Sequence, residues 1–211
     1  VQDYWTYINF PLGDGQVAMV NVAGGNLVLK HRDWNIGSVG IDTVIDRIYN
    51  KSDGGFHDFG QGTMASIHPE LTAFPTALPR AQLFFDPGAT WHAFEPVPDA
   101  SGNPTGAYYR PRGLKAKVEM SDSYYLVKYD SGITFRYDST YVLRSAYDRN
   151  SNTITYQYDG SGKLISVKDT TTQTPSRSLT FTRASGNIDT IAETNILGRS
   201  TSYNYTQIPA S

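Results

Sequence analysis

The sequence predicts an all-β chain built from antiparallel hairpins. Three observations carry that prediction. Apolar residues alternate with polar ones in short runs, and no run shows a helical period with caps. Turn residues punctuate the runs, with 19 Gly and 11 Pro in 211 residues, as many short strands joined by tight turns require. One strand–turn–strand unit, Ala146 to Val167, is followed by weaker copies at a nearly fixed interval. Repetition of one hairpin marks an architecture that grows by stacking. Composition agrees, because 15 Tyr and abundant Thr suit half-buried pleated surfaces.

The elements follow in order. Residues 1–16 are aromatic and then turn-rich through Pro11-Leu12-Gly13-Asp14-Gly15. Val17 to Val22 and Asn26 to Lys30 read as strands on either side of Gly24-Gly25. A turn at Gly37 to Gly40 leads into Ile41 to Asn50, whose β-branched residues fall on both parities, the pattern of a strand with a bulge. Lys51 to Gly62 is glycine-rich and expected to be irregular. Pro69 to Pro79 is assigned to loop, because proline cannot donate to a central ladder. Ala81 to Phe85, the turn Asp86-Pro87-Gly88 and Ala89 to Phe94 form a strand–turn–strand. Pro96 to Gly113 holds Pro96, Pro98, Pro104 and Pro111 and is expected to be a mobile connection. Hairpins then run to the end.

In the best-formed unit Ile154, Tyr156 and Tyr158 alternate with polar residues. Asp159-Gly160-Ser161-Gly162 supplies the turn, and Leu164 with Val167 resumes the apolar face. Gly162, Leu164 and Val167 recur 24 positions later as Gly186, Ile188 and Ile191. The aromatic strand recurs as Leu179-Thr180-Phe181 and then as Tyr203-Asn204-Tyr205, and the second turn reads one residue longer than the first. Thr134 to Asp138 is a further copy without its turn glycine. Such hairpins cannot bury their faces alone, so neighbours must cover one another. The last strand, around Tyr203 to Tyr205, is therefore expected to offer an edge to further repeats or to self-association.

The formal net charge is -2 and no Lys/Arg run exceeds two residues, so the chain shows no nucleic-acid footprint. The absence of Cys excludes disulfides, thiolate metal sites and a cysteine nucleophile. No apolar stretch is long enough for a membrane-spanning helix. His31, His57, His68 and His92 lack metal-ligand spacing and are read as surface or turn residues. Asp53, Asp58, Asp86, Asp148 and Asp159 stand near Gly or Asn, where turn chemistry places them. Neither Asp53-Gly54-Gly55 nor Asp159-Gly160-Ser161-Gly162 supplies the alternating oxygen ligands of a calcium loop, so both are read as structural turns, and no nucleophile elbow, phosphate loop or dinucleotide fingerprint occurs. Catalytic, cofactor-binding and metal residues are therefore left unassigned, and the chain is expected not to be an enzyme. Most of Trp5, Trp34, Trp91, Tyr124 and Tyr125 lie in alternating strands and are expected to pack inward. Tyr108 and Tyr109, in the Pro/Gly stretch, are expected to be exposed and are the candidate ligand-binding residues for a carbohydrate or a partner protein.

Tyr156-Gln157-Tyr158-Asp159, then Gly162-Lys163-Leu164 and Val167, resembles the YD repeat of the RHS family, which includes bacterial shell proteins and the animal teneurins. Asp148-Arg149-Asn150-Ser151-Asn152 resembles the link between repeats, with Ser151 where glycine is common. Upstream, Ala23 to Leu29, Arg47-Ile48-Tyr49-Asn50 and Phe85-Asp86-Pro87-Gly88 resemble the module that precedes the repeats in bacterial members. Phe59-Gly60-Gln61-Gly62 sits where that module has a Gly-x-Gly-Trp element, with Thr63 in place of the tryptophan. The resemblance implies a pre-repeat β module over residues 1–113 and YD-type hairpins over 114–211. It implies a curved sheet that begins a β-shell, enclosing or displaying a C-terminal effector of a secreted or cell-surface bacterial protein. The partners it implies are the rest of the same polypeptide.

Overall fold

Every regular element is a β-strand, and no helix occurs among the described residues. The structure is a computed structural model that describes residues 7–22, 24–38, 40–73, 82–85, 91–111, 113–170, 177–194 and 198–204. All strand pairings are antiparallel, as the alternating runs require. β1 (Tyr7–Gly13), β2 (Gln16–Asn21), β3 (Leu27–Ile36) and β4 (Thr43–Asn50) are consecutive neighbours. After the two-residue strands β5 (Phe56–His57) and β6 (Gly60–Gln61), β7 (Thr63–Ala65) joins that sheet beside β4. The bulge expected near residues 41–50 lies instead on the partner strand. Arg32 pairs with Asp46 and Trp34 with Ile45, which leaves Asp33 as the extra residue of β3.

β8 (Glu70–Ala73), β9 (Gln82–Phe85) and β10 (Trp91–Phe94) form a three-stranded sheet. β8 lies within the stretch assigned to loop. It is an edge strand, and Pro69 precedes it rather than interrupting it. The Asp86-Pro87-Gly88 turn lies outside the described residues.

The third sheet has eleven strands in strict chain order. They are β11 (Pro96–Pro98), β12 (Pro104–Tyr108), β13 (Ala116–Ser121), β14 (Tyr124–Tyr129), β15 (Thr134–Asp138), β16 (Leu143–Tyr147), β17 (Thr153–Tyr158), β18 (Leu164–Asp169), β19 (Ser178–Ala184), β20 (Asn187–Thr194) and β21 (Ser200–Ser202). The expected mobile connection is thus a hairpin. Asp99 Oδ1 accepts the amides of Ser101 and Asn103, both at 2.8 Å, and closes its turn. Pro96 and Pro98 fall on the outermost strand, where a missing donor costs no ladder bond.

Two hairpins share one pairing pattern. Tyr156 pairs with Val167, and Phe181 with Ile191. All four are buried. Phe181 therefore takes the place of Tyr156 in its hairpin. The second turn is shorter than the first: Ala184 pairs with Asn187, leaving Ser185 and Gly186 at φ 52° and 89°. The longer turns share another form. In Asp138, Asp148 and Asp159 the carboxylate accepts amides two and four residues on. The residue three beyond each, Tyr141, Ser151 or Gly162, has φ between 65° and 78°. Ser151, at φ 66°, takes a left-handed conformation that glycine adopts at no steric cost.

One face of the long sheet is buried and the other polar, as in a sheet covered on one side. Val118, Val127, Tyr137, Ile154, Leu164 and Leu179 lie on the buried face, in one core with Trp34, Ile45, Ala65, Phe84 and Phe94 from the other sheets. Thr155, Gln157, Ser166 and Thr180 look outward.

Candidate functional site

A cleft of about 360 Å³ opens where residues 56–58 and 68–72 meet the turns after Tyr137 and Tyr158. Two local features build it. The glycine-rich stretch folds back tightly at Gly62, whose φ is 64° and whose amide donates to Gly55 O at 2.7 Å. A Cβ at Gly62 would stand 2.8 Å from Asp53 O, so this position excludes a side chain. The fold-back presents His57 and Asp58 beside His68 and Glu70. The opposite wall comes from successive turns of the long sheet, with Tyr141, Tyr158 and Lys163.

Asp58 is the hub. Its carboxylate receives His68 Nε2 on one oxygen and Arg183 Nη2, at 2.5 Å, on the other. Its carbonyl accepts Ile188 N at 2.7 Å. Burial works against the charged carboxylate, but His68 and Arg183 outweigh it and hold the Asp58 pKa well below the usual range. Burial likewise opposes a charged His68, and Asp58 outweighs it, so the His68 pKa is raised. His57 is raised to about 9 by Glu70, against burial, and by Asp53. The geometry ranks these partners: Asp53 Oδ2 lies 2.7 Å from Nε2, whereas Glu70 Oε1 stands 3.8 Å from Nδ1, beyond hydrogen-bonding range. His57 is therefore a cation at neutral pH. Tyr137, fully buried, donates to Pro69 O at 2.8 Å, and burial raises its pKa well above the ordinary value.

The reading of these histidines as surface or turn residues is corrected. His92 is 6% exposed, and His68 is half-buried against Asp58. The partners lie ten residues apart in an irregular segment, where no periodicity signals a contact. Among the described residues no group of three or more His, Asp or Glu is arranged to hold a metal ion. The cluster compensates its own charges and ties the N-terminal loops to β19 and β20.

The repeat-motif residues separate by face. Tyr156, Leu164, Val167, Phe181, Ile188, Ile191 and Tyr203 are buried, and Tyr158 is half-buried at the cleft. Asp159, Gly162 and Gly186 occupy exposed or half-exposed turns, and Tyr205 lies outside the described residues. Tyr108 and Tyr109 do not form one platform. Tyr108 packs against the core, whereas Tyr109 is 55% exposed. Trp34 is buried and Trp91 is 36% exposed, while Tyr125 stacks on Tyr141 with centroids 4.9 Å apart. Trp5 lies outside the described residues.

No protein-family model matches the chain. Curated relatives are three Bacillus proteins. The chain is 26% identical over 164 residues to tRNA nuclease WapA of Bacillus subtilis (strain 168). It has the same identity to tRNA(Glu)-specific nuclease WapA of Bacillus subtilis subsp. natto and to tRNA3(Ser)-specific nuclease WapA of Bacillus spizizenii. Each match covers 77% of this chain and 6% of the relative. These names overturn one expectation. The chain is expected from its sequence not to be an enzyme, and that expectation does not stand, because the proteins it resembles are named nucleases. The relatives' activity belongs to proteins of which the matched region is 6%.

Proposed function

We propose that this chain is a structural segment of a bacterial tRNA nuclease of the RHS/YD-repeat kind, forming the opening part of a β-shell around the nuclease. The observation that carries the reading is the eleven-stranded sheet in unbroken chain order, with one hairpin register recurring at Tyr156/Val167 and Phe181/Ile191. A sheet that adds each strand beside the last can lengthen without changing its rule. The similarity to WapA proteins supports the nuclease part of the reading, and the matched fraction supports the chain being one segment of a longer polypeptide. On this reading the polypeptide is secreted or surface-displayed and acts on tRNA.

The test uses the whole polypeptide that carries this chain. Purified, it should cleave tRNA on a denaturing gel and appear hollow by single-particle electron microscopy. Failure to cleave tRNA would remove the nuclease assignment, and a solid or extended particle would remove the shell.

A further inference from the structure

The N-terminal sheet crosses the long sheet in an ordered way. Going back along the chain, Gly40 lies against Asn152, in the turn before β17. Ser38 Oγ donates to Asp169 Oδ2 at the end of β18, at 2.9 Å. Arg177, just before β19, donates to Gly37 O. Arg199, just before β21, stands over Trp34 at 5.3 Å, and the Tyr203 hydroxyl donates to Asp33 Oδ2 at 3.0 Å. Residues 33–38 and Gly40 thus traverse the sheet from β21 to β17. The spacings agree. Ser38 to Asp33 spans about 17 Å at the rise of an extended strand, and β18 to β21 spans about 14 Å at the normal inter-strand distance.

The traverse stops at Tyr203, but the apolar face that makes it does not. Trp34, Ile36 and Ile45 are covered by the long sheet. On the same face, beyond Arg47, lie Leu29 and its cross-strand partner Tyr49, each 38% exposed. Ile8, Phe10 and Leu12 of β1 continue that side and are 52%, 49% and 58% exposed. By the strand registers these residues stand on one face in neighbouring strands, a contiguous uncovered apolar surface rather than scattered aliphatics.

We propose that this uncovered face is the seat of the strands that continue the long sheet past β21. The proposal rests on the reading of the chain as one segment of a longer repeat polypeptide. Continuity with the existing interface selects the occupant. From Asp33 to Leu29 the strand advances about 13 Å, room for two to three further strands at the normal spacing. The relatives, of which the match covers 6%, have ample chain to supply them. Charge adds a requirement. His31 and Arg47 line a cavity of about 240 Å³ on this face with Leu12, Leu29 and Tyr49, and share one carboxylate, Asp33. The incoming strands should therefore bring apolar side chains and at least one acidic group.

Hydrogen exchange on the 211-residue chain and on the longer polypeptide tests this. In the longer polypeptide, amides of residues 7–21 should exchange at least ten-fold more slowly than in the chain alone. Phe10→Ser and Leu29→Ser should leave the melting temperature of the 211-residue chain within two degrees and lower that of the longer polypeptide measurably. If amides 200–202 gain protection while 7–21 do not, the sheet continues but covers another surface, and this inference fails while the repeat reading stands. If neither region changes, both fail. If residues 7–21 of the 211-residue chain become protected as its concentration rises, with a dimer by sedimentation, the occupant is a second copy and the proposal is overturned.

Discussion

Asp58 shows how much one buried carboxylate can organise. It receives His68 and Arg183 through its side chain and Ile188 through its backbone. Removing one partner of such a group strands the others away from water, which costs far more than the net worth of the pair. Asp58→Ala should lower unfolding free energy by about 3–5 kcal/mol in urea titration. A loss under about 1 kcal/mol would mean that Arg183 and His68 find water instead. His57 gives a pH signature. Its folded pKa, about 9, is raised above the ordinary 6.5. The stability it contributes is therefore fully present below pH 6.5 and lost as pH rises through about 9. Urea midpoints measured from pH 6 to 10 should fall more steeply for the unaltered chain than for His57→Gln. Parallel profiles would show that His57 does not carry the dependence. Neither histidine's role was legible in the sequence, because their partners are brought in by fold-back at Gly62 and not by strand periodicity.

At the scale of the hairpin, one turn form recurs at Asp138, Asp148 and Asp159. An aspartate accepts two amides, and the residue three beyond it takes a left-handed conformation. Gly162 separates the backbone requirement from packing. Its φ is 78°, yet no atom lies within 4 Å of where a Cβ would stand. Gly162→Ala should therefore cost about 1–2 kcal/mol through backbone strain alone. Measured by thermal unfolding, a neutral result would show that the turn relaxes to another form. These hairpins were legible, since Ile154, Tyr156 and Tyr158 alternate with polar residues, Asp-Gly marks the turn, and Leu164 with Val167 resumes the apolar face. Pro96 to Gly113 was not, because proline content suggests a loop and does not distinguish it from an edge strand with outward prolines. The alignment of Phe181 with Tyr156 was missed for a similar reason. Glycine spacing aligned the two turns, but a two-residue and a five-residue turn place their glycines differently relative to the strands.

For the whole molecule, the question is whether the N-terminal sheet and the long sheet unfold as one. Most of their buried residues form one cluster, from Trp34 and Ile45 through Ile154 to Ile191, while Val28, Ile48 and Met64 pack separately on the other face of the N-terminal sheet. Polar ties reinforce it at both ends of the crossing, at Ser38–Asp169 and Asp33–Tyr203. A shared core of this kind makes the free energy of opening common to both parts. Gly40 is the position that tests it. A Cβ there would meet Asn152 Cβ at 2.2 Å, so the loop and the turn between β16 and β17 must move apart. Forcing an extra methyl into a filled contact costs about 1–3 kcal/mol. If the crossing is cooperative, Gly40→Ala should speed exchange of the slowest amides in residues 28–48 and in residues 154–191 by the same factor. If only residues near 40 and 152 exchange faster, the substitution loosens a local contact and the two sheets hold their stability separately.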